Sequence, residues 1–382
     1  MRLLFFFPAI CASLVAATVP VRFETIAKQA ETARIQERVP DAIRLYREGT
    51  RLSPSWNEGW WYLGNLLYDQ DRFPEASIAF QHLLSETAHR SPAYAFLGIC
   101  DYEAGKYDDA LAQFRTWASS GWAAPPELFE IAVFHFALLL TRDGKPVESL
   151  YLLASLAPHM GDVPHLAEAM GLASLRMRYL PENYPPELRE RIWLAGKAAE
   201  YAAQDPKDFT HAEEFAARLV ALYPDQPDVH YLRGSIYTFE AKSAEAEPEY
   251  REELKISPDH APALVALAAI DLDKADLVEA DQLARKAVAA DPGNAEAHHL
   301  LGRVLLTNRD FPASASELEA AKRIAPNSAP VRLHLAMAYR RLGRVREAEA
   351  ESAVALVLKS KEEEVAPVKF KLGQAQAKEK TH

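Results

Sequence analysis

The chain has 382 residues, 49% of them hydrophobic and 25% charged, with 43 Lys and Arg against 54 Asp and Glu for a net charge of −11. This composition excludes wholesale disorder, and the acidic balance argues against a nucleic-acid surface, whose affinity rests on clustered Lys and Arg. Fifteen Gly leave few positions for phosphate loops or a turn-rich β fold, and two Cys make no disulfide framework.

Met1 and Arg2 precede an apolar run from Leu3 to Ala17. A run of about 15 residues after a positive start has secretory-signal proportions, and it is shorter than the about 20 that a membrane-spanning helix needs. The small residues Val15, Ala16 and Ala17 place cleavage after Ala17, so residues 1–17 are expected to be a signal peptide. Cys11 lacks a lipidation context, because Pro8 and Ile10 stand where an aliphatic and a small residue belong. Removing the signal leaves Cys100 alone, so packing must hold the fold without a disulfide. The expected location is the periplasm or the extracellular space, with no stable membrane span after processing.

Beyond the signal, the chain repeats every 34 residues. Pro224, Pro258, Pro292 and Pro326 keep that step, and so do Ala42, Ala76 and Ala110, then Tyr46, Phe80 and Phe114. Gly234, Ala268, Gly302 and Ala336 keep it too, and Gly64 and Gly98 match in the N-terminal half. Inside one period, Trp60, Leu63, Gly64 and Leu67 fall on one helical face. Residues 69–72 form a polar turn, and a second helix from Glu75 carries Ala76 and Phe80 on one face. Small residues at 64 and 76 let two antiparallel helices approach closely, the aromatic at 80 fills the space beside them, and proline stops the second helix.

This pattern resembles the tetratricopeptide repeat family, whose signature is W-x₂-L-G-x₂-Y, then A-x₃-F, then P. Trp60, Leu63, Gly64, Ala76 and Phe80 match it in one repeat; Tyr94, Leu97, Gly98, Ala110 and Phe114 match in the next. Gly234, Tyr237, Ala246, Tyr250 and Pro258 match later, as do Leu301, Gly302, Leu318 and Pro326. The resemblance implies an all-α helix-turn-helix solenoid, wound as a right-handed superhelix, with an irregular central section. Three repeats are expected over 23–124 and four over 227–360, with divergent helical repeats over 125–226.

In that central stretch the step from Ala110 to Ser149 is 39 rather than 34. A helix pair is expected from Glu130 to Pro158 about a turn at 143–146, then a helix over 166–177, a loop over 179–186 and a further pair over 188–204 and 209–222. Residues 361–382 carry five Lys, four Glu and one aromatic, Phe370, and read as a charged, disordered tail.

No H-E-x-x-H, G-x-S-x-G, G-x-G-x-x-G or C-x-x-C occurs. His298 and His299 are adjacent and point to different helical faces, and His165 with Glu168 is one pair without further ligands. Asp271, Asp273 and Asp276 lack the glycine and fifth-position ligand of a calcium loop, so capping explains them better. No catalytic residue, metal or cofactor is assigned, and the chain is not expected to be an enzyme.

In the family, the first helix of each pair lines an extended concave surface. The residues implied there are Trp61, Tyr62, Asn65, Tyr68, Phe96, Ile99 and Tyr102, an aromatic surface suited to peptide recognition. The competing role for Trp61, Tyr68, Phe96 and Ile99 is packing against the neighbouring repeat. In the last two repeats the same positions give His299, Arg303, His334, Arg340 and Arg341, a basic patch suited to a carboxylate-rich partner or a peptide C-terminus. The competing reading there is a solvated charged face. The family's Lys and Asn clamp for C-terminal carboxylates is absent, so chaperone binding is not assigned. The expected function is a scaffold that binds another protein or peptide. The alternative is a structural or assembly component of a cell-envelope machine, such as outer-membrane or polysaccharide export.

Overall fold

Small residues recurring every 34 positions let helices pair at close range, and the structure is built from that pairing. It is a computed structural model, and it describes residues 11–86, 92–160, 164–204 and 206–360. All regular secondary structure among the described residues is helical. Residues 1–10 of the expected signal and the expected tail 361–382 lie outside the described residues. No helix among the described residues is long and apolar enough to cross a membrane.

The helices group into two units, residues 1–156 and 157–382. The division falls inside the central stretch 125–226.

In the first unit α1 (Cys11–Ile35) packs on α2 (Val39–Leu52), α3 (Asn57–Tyr68) on α4 (Phe73–Glu86), and α5 (Ala93–Glu103) on α6 (Tyr107–Ser119). Then come α7 (Pro126–Arg142) and α8 (Pro146–Met160), which carries the chain across the division. The longer step before this pair has a simple origin. Helix α7 has 17 residues, against 11 to 13 in the other first helices from α3 onward that keep the 34-residue step. Beyond the extra length the pair keeps the repeat's joint. Ser149 is fully buried where alanine stands in most other pairs, donates to the Ala137 carbonyl at 2.7 Å and accepts from Thr141 Oγ1 at 2.7 Å.

In the second unit α9 (Pro164–Ser174) lies against α10 (Arg189–Ala203), which packs on α11 (Phe209–Leu222). Three regular pairs follow: α12 (Val229–Phe239) with α13 (Ser243–Ile256), α14 (Ala261–Asp273) with α15 (Leu277–Ala290), and α16 (Ala295–Thr307) with α17 (Phe311–Ile324). The last first helix is α18 (Ala329–Arg341), followed by helical residues 345–360. Ala212, Ala246, Ala280, Ser314 and Ala348, spaced by 34, are all fully buried in these joints.

At Gly64, Gly98 and Gly234 the filler ring of the second helix sits on the glycine itself, and at Gly302 Leu318 takes that place. A Cβ on Gly64 would stand 2.6 Å from the Phe80 ring, and one on Gly98 would stand 2.6 Å from Phe114. The α9–α10 contact is closer still. A Cβ on Gly171 would lie 1.9 Å from the Ile192 carbonyl oxygen, and one on Gly196 1.7 Å from that of Ala167. The two backbones touch, which only glycine at both positions allows.

Each regular pair turns the same way. One residue after the first helix adopts a left-handed conformation, and the next N–H bonds back to a carbonyl five residues earlier. The left-handed residues are Asp71, Gly105, Ala241, Ala275, Arg309 and Gly343, in register with the 34-residue step. The returning bonds, among them Arg72 N to Leu67 O and Asp276 N to Asp271 O, measure 2.8–2.9 Å.

Candidate functional site

The expected aromatic surface lies on α3 and α5 of the first unit. Trp61 is half-buried, edge-on to Phe96 at 5.5 Å and to Phe80 at 6.1 Å between ring centroids. Tyr68, also half-buried, stands 5.1 Å from Phe96 and 5.8 Å from Phe73, while Phe80 stacks on Phe96 at 4.9 Å. Phe96 is thus the centre of an interhelical cluster and only 5% exposed, with Ile99 at 2%. Both take the packing role. Tyr102 is buried too, its ring 4.5 Å from His135 and 5.3 Å from Tyr107.

The residues left with accessible edges are on α3. Tyr62 carries the Arg34 guanidinium 4.0 Å above its ring and approaches Tyr46 at 5.7 Å. Asn65 donates from Nδ2 to the Trp61 carbonyl at 2.8 Å, which fixes its amide. Burial, with Cys100 and Glu103 adding to it, pushes the Tyr68 phenol up to about 12. Its hydroxyl therefore remains a donor across any physiological pH. Trp61, Tyr62, Asn65 and Tyr68 make a strip of ring edges with one held amide, backed by a packed aromatic layer.

The expected basic patch divides in the second unit. His299 on α16 and His334 on α18 meet with Nε2 and Nδ1 3.0 Å apart, and Arg303 acts on both rings. Arg340 instead reaches Ser352 Oγ at 3.2 Å, and the Arg341 guanidinium lies 6.0 Å over the Phe311 ring. Three of the five residues therefore form one cluster. Nor is that cluster as basic as its composition implies. Burial, with His334 and Arg303 adding to it, pushes His299 down to about 4, and burial likewise lowers His334. At neutral pH Arg303 supplies the charge and the two imidazoles are neutral.

One carboxylate–histidine pair has the look of catalytic machinery. His260 Nε2 lies 2.8 Å from Asp228 Oδ1, both side chains being nearly buried. But Nδ1 of the same ring accepts the Ala263 N–H at 3.1 Å, which makes His260 the N-cap of α14. With Nδ1 accepting, Nε2 carries the proton and donates it to Asp228, so no lone pair is left for a base. Glu253, fully buried, completes the joint by accepting from Asp228 N at 2.9 Å and Tyr231 N at 3.2 Å. Asp276 likewise caps α15 by accepting from Glu279 N at 3.3 Å. Cys100 is buried, and its thiol is pushed up to about 12 by that burial. Among the described residues no three His, Cys, Asp or Glu gather as metal ligands.

One recurring contact escaped sequence reasoning. His230 and His298 each place Nε2 3.1 Å from the carbonyl of the proline six residues earlier, Pro224 and Pro292. Their Nδ1 atoms lie 2.6 Å from Glu249 and Glu317. Trp60 donates to the Pro54 carbonyl at 2.7 Å from the same repeat position. The spacing to the preceding proline was the available signal.

The tetratricopeptide repeat family model matches residues 28–95 and 265–329. The chain is 21% identical over 301 residues to the human protein O-mannosyl-transferase TMTC3, covering 78% of this chain and 30% of that protein. It is 30% identical over 166 residues to cellulose synthase operon protein C of Xanthomonas axonopodis pv. citri (strain 306), covering 41% of this chain and 11% of that protein. The chain thus spans less than a third of the length of either curated relative. Among solved structures, MamA from Desulfovibrio magneticus RS-1 is 17% identical with a TM-score of 0.39, covering 45% of this chain and 96% of that one. YrrB, described as a TPR protein with an unusual peptide-binding site, is 16% identical with a TM-score of 0.37, covering 46% and 89%. With its 34-residue step, the paired helices built on that step and the two matched stretches, this chain is a tetratricopeptide repeat protein.

Proposed function

We propose that the chain is a protein-interaction scaffold that holds a partner peptide against its first helices. The observation that carries this reading is the strip of Trp61, Tyr62, Asn65 and Tyr68 on α3, half-buried and backed by the Phe80–Phe96 layer. Rings whose rotamers are already held by packing lose little entropy on binding, and Trp and Tyr dominate binding energy at interfaces. The net charge of −11 favours a protein partner over nucleic acid. The reading assigns no catalytic step to this chain. Its test is capture by wild-type and Trp61→Ala baits, each with a melting curve. An anchor truncated to alanine costs about 2 kcal/mol or more of affinity. If Trp61→Ala captures the same partner equally well yet melts much earlier, Trp61 serves packing and the binding strip is wrongly placed.

We further propose that the protein is exported, on the strength of the apolar run ending in Val15, Ala16 and Ala17. The mature chain then begins at Thr18, and N-terminal sequencing from the native host tests this; Met1 retained on a soluble product rejects it. A second reading, support of a polysaccharide-export machine in the cell envelope, draws on the similarity to cellulose synthase operon protein C. Capture of export components by the wild-type bait alone favours it, and capture of unrelated proteins counts against it.

A further inference from the structure

We infer that His299, His334 and Arg303 form a proton-linked carboxylate site, in which a partner carboxylate parts the two imidazoles and His299 Nε2 takes up one proton from solvent. This rests on the reading of the first helices as a peptide-binding surface.

The tautomers follow from the partners. Nδ1 of His334 lies 2.9 Å from the Pro330 carbonyl oxygen, which can only accept, so Nδ1 carries the proton. His299 Nε2, 3.0 Å from the same Nδ1, is then an acceptor sharing that proton. A proton added to His299 Nε2 would set two N–H groups head to head. The closed pair therefore admits one proton in the gap and excludes a second.

A carboxylate is what this cluster lacks. In the same unit His230, His260 and His298 lie 2.6, 2.8 and 2.6 Å from Glu249, Asp228 and Glu317. His299 and His334 have no carboxylate partner among the described residues; they meet each other, and His334 Nδ1 also meets the Pro330 carbonyl. Arg303 makes no ion pair among the described residues; besides burial, His334 and Arg303 act on His299, and the Pro330 carbonyl and Arg303 act on His334. These all belong to α16 and α18; among the described residues no charged group of α14, α15, α17 or the helix 345–360 shifts either ring. A carboxylate placed between the rings accepts from His299 Nε2–H and His334 Nδ1–H and meets the Arg303 guanidinium, whose fork suits two oxygens. Its charge reverses the bias that burial and Arg303 impose on His299.

The linkage has a definite sign. The free site holds His299 neutral down to about pH 4. Below the higher pKa of the bound state, binding takes up a proton, so affinity rises by up to about tenfold per unit fall in pH. Carboxylates titrating near 4 remain ionised at pH 5.5.

The test uses the full chain. Ring proton signals of His299 and His334, assigned with His299→Gln and His334→Gln, are titrated in sodium chloride and in sodium acetate at equal ionic strength. The expected result is an apparent pKa of His299 about one unit or more higher in acetate, with no such rise in Arg303→Gln. Hexaglycine with a free C-terminus, hexaglycine amide and an amidated triglutamate separate a chain-end carboxylate from a side-chain one. A larger response to inorganic phosphate than to any carboxylate overturns the ligand class. Ring titrations unmoved by acetate and by all three peptides overturn the site. A partner captured through Trp61 with affinity independent of pH from 7 to 5.5 also rejects it, while leaving the scaffold reading intact. A responsive site without any Trp61-dependent partner rejects the scaffold reading and leaves the site.

Discussion

The guanidinium of Arg332 donates to Glu351 Oε2 at 2.6 Å through one nitrogen and to the Pro326 carbonyl at 2.7 and 2.9 Å through the other two. It fastens the end of one repeat to both helices of the next. His230 and His298 make the same three-way contact from positions 68 residues apart, and Arg332 follows His298 by 34. The proline that stops a second helix leaves its carbonyl exposed, and a donor six residues on satisfies it. Burial pushes the Glu351 carboxyl up, but Lys322 and Arg332 outweigh it and hold the group below the ordinary carboxylate value.

Arg332→Met should therefore loosen the last repeat first. It removes one charge-assisted hydrogen bond to a mostly buried carboxylate and two to the exposed Pro326 carbonyl, at a cost of about 1–3 kcal/mol. Hydrogen exchange should quicken over 329–360 and stay unchanged before 290. Uniform quickening along the chain contradicts a local fastening.

Ala275→Gly should stabilise the protein. Ala275 has φ of 61°, where an L-residue other than glycine is strained by about 1 kcal/mol. Gly105 holds the equivalent position at φ 72° with nothing within 4 Å of an added Cβ. Gly105→Ala should lose about what Ala275→Gly gains, and thermal melts of both variants check the pair. A lower melting temperature for Ala275→Gly refutes the turn assignment.

Gly196→Ala should be among the more damaging single changes. Its Cβ meets a backbone oxygen, which cannot rotate away as a side chain can, so α9 and α10 must part. Overpacking of this kind costs about 1–3 kcal/mol or more. Denaturant unfolding measures it; a midpoint equal to wild type would show that the two helices are not in backbone contact.

Acid should weaken the protein from the His299 side before its carboxylates respond. The folded-state value of about 4 lies below the ordinary 6.5, so between them the folded chain binds fewer protons than the unfolded one. Stability from this group is full above pH 6.5 and is lost as pH falls toward 4. Glu247 and Glu351, held below the ordinary 4.5, lose their contribution only below that value. Melting temperatures from pH 7 to 4.5 should fall more steeply for wild type than for His299→Gln. Parallel curves would remove His299 from the balance.

The central stretch shows how far local pattern reaches. Helices expected over 166–177, 188–204 and 209–222 are present as Pro164–Ser174, Arg189–Ala203 and Phe209–Leu222, with the loop between them. What periodicity could not state is that α9 and α10 meet backbone to backbone, Gly171 against Ile192 and Gly196 against Ala167, because neither glycine belongs to the 34-residue series that names the other joints. The same limit holds at the binding surfaces. Family positions selected Trp61, Phe96 and Tyr102 alike, yet Phe96 and Tyr102 are consumed in packing.

The sequence by itself determined the helix pairs, their joints and the turns between them. Those depend on residue size and backbone stereochemistry at fixed steps, which one chain carries openly. The tertiary structure decided which side chains meet across successive first helices. It joined His299 to His334, sent Arg340 and Arg341 elsewhere and turned His260 into a cap. Such contacts depend on rotamers and on the neighbouring helix, and they set burial and charge only once the helices are stacked.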